Sequence, residues 1–214
     1  MSLFALNNQL IFPPVHLSEP DGLLAFGGDL STERLLLAYR NGIFPWYEGE
    51  HILWWSPDPR FILFPEELKV SKSMQQLFKK NAFEFTVNKA FTEVINSCKT
   101  ISRRGQESTW ITEEIKKAYT ILHKSGYAHS AEAWLNNELV GGLYGIRLGK
   151  VFFGESMFSK TANASKFAFI KYVHTLLLEK IKIIDCQVYT EHLESLGARM
   201  IEREKFIELL KEYI

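Results

Sequence analysis

Apolar and polar positions run along this chain in two rhythms, and the predicted element changes wherever the rhythm does. From residue 61 onward, runs with period-two alternation trade places with stretches of helical spacing. FILF (61–64) reads as a strand, SKSMQQLFKKN (71–81) as a basic helix, FEFTV (83–87) as an alternating strand and 91–99 as a second helix. Between 112 and 124, Ile115, Ala118, Tyr119 and Leu122 fall at i, i+3, i+4 and i+7, one apolar face of a helix. Its first turn carries Glu113 and Glu114, suited to the positive end of the helix dipole. A meander follows: HSAEAWL, a turn at Asn136-Asn137, ELVGGLYGIRL, a turn at Gly149, and KVFFGESMF. A long helix is predicted over 163–180, with Phe169, Val173, Leu176 and Leu177 in one stripe. IKIIDCQVYT (181–190) reads as a strand, and HLESLGA and REKFIELLKEY as two closing helices. Strands that meet in hairpins and then cross through one long helix predict an α+β fold, a mixed sheet with flanking helices.

The first sixty residues lack that regularity and read as loops around one helix. Ser31 suits its N-cap, Leu35, Ala38 and Tyr39 share a face, and Gly42 is placed to end it. The pattern therefore predicts a small irregular N-terminal domain over 1–60 and a larger one over 61–214, a division that 214 residues can support.

Composition narrows the class. Hydrophobic residues make up 46% and charged ones 23%, an ordinary globular balance. No apolar run approaches the roughly 20 residues that span a bilayer, and MSLFALNNQLIFPPV lacks a basic start and a cleavage site, so a soluble cytoplasmic protein is expected. Cys98 and Cys186 lie far apart and outside any metal-ligand spacing, which fits a reducing compartment and predicts no metal.

A net charge of zero hides a division. Residues 1–70 carry nine acids and four bases, while eight bases against two acids lie between 69 and 104. Another five bases against Glu155 alone lie between 139 and 178. Singly these lysines and arginines are solvated faces; converging on one surface they would form a footprint for a phosphate backbone.

Polar atoms on apolar strands carry the candidate chemistry. Strand alternation places Ile183, Asp185, Gln187 and Tyr189 on one side, and groups Val151, Phe153, Glu155 and Met157 in the same way. An acid inside such a strand either pairs locally or belongs to a site, because an unpartnered buried carboxylate is costly. Trp46, Trp54 and Trp55 crowd into GIFPWYEGEHILWWSPDPR (42–60), and Trp110 also sits at the end of an element. They serve either as packing between domains or as a stacking platform for nucleobases. Trp134, within a strand, reads as core.

The motifs PDGLLAFGGDLS (20–31), GIFPW (42–46), LWWSPDPRFILFP (53–65), TWIT (109–112), YAHSAEAW (127–134), LVGGLYG (139–145), FGESMFS (153–159), NASK (163–166), IDCQV (184–188) and SLGA (195–198) resemble, in order, those of the bacterial leucyl/phenylalanyl-tRNA protein transferases. The resemblance implies transfer of leucine or phenylalanine, less readily methionine, from tRNA to the α-amine of proteins beginning with Arg or Lys, which marks them for N-end rule degradation. It also implies that the larger domain has the fold of acyl-CoA N-acyltransferases (GNAT-like), with aminoacyl-tRNA as donor and no cofactor. In that family the residues matching Asp185 and Gln187 are held to form a relay. A glutamine carbonyl accepts hydrogen bonds well but is a very poor base, so Gln187 is expected to orient the attacking amine. The proton would leave by water or the terminal ribose hydroxyl. Positions matching the donor side-chain pocket are Leu143, Phe152, Met157, Phe169 and Ile184. Glu155 would fix the aminoacyl amine, Trp46 and Trp110 would stack on the terminal adenosine, and Trp54 and Trp55 fall to packing between domains. The rival readings are a coenzyme A acetyltransferase, whose R/Q-x-x-G-x-G/A loop is absent here, a peptide-bridge-forming transferase, and a noncatalytic RNA-binding module.

Overall fold

The computed structural model describes residues 3–101 and 111–214. In chain order its elements are β1 (Phe4–Leu6), β2 (Leu23–Gly27), α1 (Thr32–Arg40), β3 (Phe44–Pro45), β4 (Leu53–Trp55), β5 (Arg60–Leu63), α2 (Lys72–Lys79), β6 (Glu84–Val87) and α3 (Phe91–Thr100). They continue with α4 (Glu113–Lys124), β7 (Ala128–Leu135), β8 (Glu138–Leu148), β9 (Val151–Ser159), α5 (Ala164–Leu178), β10 (Ile183–Gln187), α6 (Glu191–Glu194), β11 (Arg199–Ile201) and α7 (Arg203–Tyr213). Seven strands form one mixed sheet in the order β11-β5-β10-β9-β8-β7-β6, in which only β9 and β10 run parallel.

The first sixty residues hold more order than the loops expected of them: β1, β2, β4 and β3 make a second, four-stranded sheet. Its strands are two to five residues long, too short for periodicity to register. Helix α1 forms as its sequence dictates. Ser31 Oγ accepts from the Arg34 amide, and Gly42 takes φ +70°, the left-handed turn that ends the helix.

Each face of the large sheet carries its own core. Val94, Ile95, Tyr119, Leu122, Phe153 and Ile183 are buried on one face, in a cluster that also takes in Tyr39 and Trp54 from the first sixty residues and Phe206 from α7. Met74, Phe152, Phe167, Val173, Leu176 and Ile184 are buried on the other, under α2 and α5. Leu177, expected in the α5 stripe, is 37% exposed, so the helix rests on Phe169, Val173 and Leu176. Gly141 on β8 lets the start of α5 sit directly on the sheet: a Cβ there would lie 2.6 Å from the Cβ of Ala164.

Of the bulges in the two sheets, two fall beside each other on β9 and β10 and interrupt the alternation that the sequence pattern assumes there. Tyr144 pairs with Ser156 and Gly145 with Gly154, which leaves Glu155 as the extra residue of β9. Phe153 and Phe158 consequently share one core and Met157 borders the other, so the expected grouping of Val151, Phe153, Glu155 and Met157 on one side does not hold. On β10, Asp185 pairs with Ile62 and Gln187 with Phe61, which makes Cys186 the extra residue. Gln187 sits at φ +64° and closes a strand expected to run to residue 190. Parallel pairing of β9 with β10 stops at Asp185 and Phe153, and both bulges lie where the strands part. A crevice opens there. The tail also departs from expectation, because HLESLGA yields only the short α6 before strand β11.

Candidate active site

A cavity of about 470 Å³ occupies the crevice between β9 and β10. Leu143, Met157, Phe169 and Ile184 give it an apolar wall, Trp46 stands at its rim, and Glu155 and Gln187 lie within it. Of the sequence-derived candidates, Phe152 does not line it. That ring is fully buried and meets Tyr172 edge-on at 5.1 Å, supporting the wall from behind. Trp110 lies outside the described residues.

The floor is a polar network drawn from four elements. Glu155 Oε1 accepts from the Tyr39 hydroxyl at 2.7 Å and from Gln187 Nε2 at 2.9 Å, and its Oε2 accepts from the Tyr119 hydroxyl at 3.1 Å. The two phenols also hydrogen-bond each other. Burial pushes the Glu155 carboxyl up to about 7, against the lowering effect of the two phenols and the Gln187 amide and with added repulsion from Asp185. Tyr39 and Tyr119 are raised well above the ordinary phenol range, first by burial and then by the neighbouring carboxylate, so they act as donors and stay protonated.

Asp185 occupies a different place from the one expected. Both of its carboxylate oxygens are taken by the Arg60 guanidinium, at 2.8 and 2.7 Å, and Oδ1 also accepts the main-chain N–H of Gln187 at 2.9 Å. The acid in contact with the Gln187 side-chain amide is Glu155, whereas Asp185 reaches Gln187 only at its main-chain N–H. Asp185 instead braces the bulge that aims Gln187. With its N–H₂ group committed to Glu155, Gln187 has its carbonyl left to accept from a substrate.

Sequence reasoning missed Arg60, Tyr39 and Tyr119 as members of this site. Arg60 could have been suspected from an arginine at the head of an apolar strand. Tyr39 and Tyr119 lie on buried helix faces, where a phenol hydroxyl needs a partner; which partner is a matter of tertiary structure.

The aromatic rim is built by short strands. Trp54 is fully buried, donates to the Gly27 carbonyl at 2.9 Å and meets Phe12 edge-on, whereas Trp55 donates to the Trp46 carbonyl and holds that ring 5.7 Å away. Trp46 itself is 38% exposed, an apolar face open to a ligand. Among the basic candidates, Lys99 and Arg147 are paired with Glu113 and Glu179. Lys160 and Lys166 instead line a second cavity of about 320 Å³, which shares Ser165 and His192 with the first.

An apolar slot with an aromatic lip and an acid–amide floor can hold an apolar side chain beside a planar ring, and the class of protein, a tRNA-dependent protein transferase, comes from the family models that match the chain. The family model described as leucyl/phenylalanyl-tRNA protein transferase matches residues 62–211, and that of its N-terminal domain matches 28–58. The chain belongs to this family. The leucyl/phenylalanyl-tRNA protein transferase of Syntrophobacter fumaroxidans is 55% identical over 215 residues, covering 100% of this chain and 92% of that protein. That of Flavobacterium johnsoniae is 56% identical over 210 residues, covering 98% and 99%. Among solved structures, a conserved protein of unknown function from Bacteroides thetaiotaomicron matches at 14% identity and a TM-score of 0.42, over 89% of this chain and 65% of its own length. No helix among the described residues is long and apolar enough to cross a membrane.

Proposed function

We propose that this chain transfers leucine or phenylalanine, and less readily methionine, from its tRNA to the α-amine of proteins that begin with Arg or Lys, feeding N-end rule degradation in the cytoplasm. The observation that carries this reading is the crevice itself, where one cavity joins an apolar wall, an exposed tryptophan and a glutamine whose N–H₂ group is turned to Glu155. The donor side chain would lie against Leu143, Met157, Phe169 and Ile184. Met157 suits a pocket that accepts several shapes, because an unbranched thioether adapts to its occupant. Trp46 would stack on the terminal adenine, together with Trp110, and Lys160 and Lys166 would meet the phosphates that precede it.

The chemistry asks little of the protein. An aminoacyl ester is already activated, and an α-amine with a pKa of about 7.7 to 8.0 is partly neutral near pH 7. Alignment of amine and carbonyl can supply much of the remaining barrier. Gln187 would provide it by accepting one N–H of the amine at its carbonyl, with Asp185 acting through Arg60 and the bulge. We read the larger sheet as GNAT-like, supported by parallel strands that part at bulges around a cleft. We read residues 1–60 and 61–214 as two domains, because the four-stranded sheet lies wholly within the first and the seven-stranded sheet, apart from Arg60 at the head of β5, within the second.

The test is transfer of labelled leucine from charged tRNA to two peptides that differ only in starting with Arg or Val. Label on the Arg peptide alone, lost when the tRNA is hydrolysed beforehand, is the expected result. Binding of charged tRNA with no label on either peptide would leave an RNA-binding module and reject the enzyme.

A further inference from the structure

The Glu155 network has a property that substrate positioning does not require. Three pairs of oxygens meet in it: Tyr39 with Glu155, Tyr119 with Glu155, and Tyr39 with Tyr119. The two phenols bring two hydrogens to these three contacts. When Glu155 is a carboxylate, both phenols can point at it and the contact between them lacks a hydrogen. When Glu155 is protonated, a third hydrogen is present and the three groups close into a ring. The site is therefore built to hold this side chain in both protonation states.

Few other groups could take a proton here. Asp185 has both oxygens on Arg60, Gln187 is an amide, and Tyr39, Tyr119 and Tyr144 are phenols. His192 of α6 shares the cavity wall but takes no part in the network, and burial lowers its affinity for a proton. Cys186 of β10 also lines the cavity, and burial raises its thiol well above the ordinary range, so it stays protonated; among the described residues these are the titratable and charged groups facing Glu155 from α1, α4, α6, β5, β8 and β10. Glu155 also touches Gln187 Nε2, the amide whose carbonyl would hold the attacking amine.

Resting on the transfer reaction proposed above, we propose that Glu155 is the catalytic proton acceptor for the attacking amine, and that Tyr39 and Tyr119 are positioning residues that hold it ready. As the amine nitrogen bonds to the ester carbonyl carbon, one N–H proton passes to Glu155. As the C–O bond to the ribose breaks, that proton passes from Glu155 to the departing ribose oxygen. An amide and a free hydroxyl result, and Glu155 is again a carboxylate. No outside oxidant, reductant or cofactor is needed. The carboxyl held up at about 7 suits this work, because it is largely ionised when the amine is largely free and can still accept its proton.

The experiment is the pH dependence of single-turnover transfer from pre-bound leucyl-tRNA to saturating Arg-starting peptide, with leucyl-tRNA affinity measured in parallel. The wild-type rate should rise through a limb near pH 7 from Glu155, below the limb near about 7.7 to 8.0 that the peptide α-amine brings to every variant. Glu155→Gln keeps the shape of the side chain and should slow transfer about 100-fold or more, abolish that limb, and leave the Kd for leucyl-tRNA unchanged. Tyr119→Phe removes a hydrogen bond that favours the carboxylate, so its limb should move to higher pH, with the rate recovering there. A merely structural tyrosine would lower the rate equally at every pH. Glu155→Gln that keeps the limb, or that loses donor affinity while transferring normally at saturation, overturns the proposal and makes Glu155 an anchor for the aminoacyl amine. A wild-type protein that transfers nothing rejects the underlying reading as well.

Discussion

Removing the Asp185 carboxylate should unfold the site before it affects any chemistry. Arg60 and Asp185 are 1% and 0% exposed and share two hydrogen bonds of 2.8 and 2.7 Å. In Asp185→Ala the guanidinium keeps only the Gly42 carbonyl at 3.2 Å and the faces of Phe44 and Phe206 at 4.7 and 4.8 Å. Breaking a buried ion pair by deleting one partner costs about 3 to 5 kcal/mol. In a chain of this size each kcal/mol moves Tm by roughly 2 to 4 °C, so a fall of roughly 6 to 20 °C is expected. Urea unfolding should show a lower midpoint with an unchanged slope. The double variant Arg60→Met/Asp185→Leu should recover most of the loss, because an apolar pair of similar size leaves no charge stranded. Transfer by folded Asp185→Ala should fall through the loss of an acceptor for the Gln187 N–H, since that bond fixes the bulge. If Asp185→Ala unfolds at the wild-type urea midpoint yet transfers nothing, the carboxylate acts in the reaction and the brace is refuted.

Other perturbations separate the parts of the site. Trp46→Ala should weaken leucyl-tRNA binding by the worth of one stacked base, about 1 to 3 kcal/mol, with the saturated rate kept; an unchanged Kd in a filter-binding titration would remove Trp46 from the platform. Gly145→Ala should destabilise by at least roughly 1 to 3 kcal/mol, because its Cβ would lie 2.2 Å from the Phe153 carbonyl and 2.5 Å from the Phe152 ring; thermal melting would report it. Glu155 should make the fold less stable as pH rises from about 5 to 7. The native carboxyl holds its proton up to about 7, whereas the unfolded one loses it near about 4.3, so the native state binds more protons across that window. Glu155→Gln should flatten that decline in urea midpoints measured from pH 5 to 8, and an identical decline in both proteins would show that Glu155 is not its source.

Local chemistry made much of this fold readable. Asn136 and Asn137 both take positive φ, 52° and 64°, as a two-residue hairpin requires, and Ile115, Ala118, Tyr119 and Leu122 are all buried on α4 as their spacing predicts. Asp185, Gln187 and Glu155 stood out because polar groups on apolar strands need a reason. What alternation could not foresee was the single extra residue at Glu155 and at Cys186, since a bulge depends on strand pairing across the sheet. Those two residues decide that Gln187 meets Glu155 while Asp185 meets Arg60. The phenols of Tyr39 and Tyr119 escaped notice for a related reason, because the contact between them joins positions 80 residues apart.

The most direct test of the site is the single-turnover rate of leucine transfer from leucyl-tRNA to an Arg-starting peptide by Gln187→Ala beside the wild type. An orienting glutamine predicts a rate lower by a few powers of ten with the Kd for leucyl-tRNA unchanged. A rate equal to wild type would contradict the account by showing that the reaction takes place elsewhere than at the floor of this crevice.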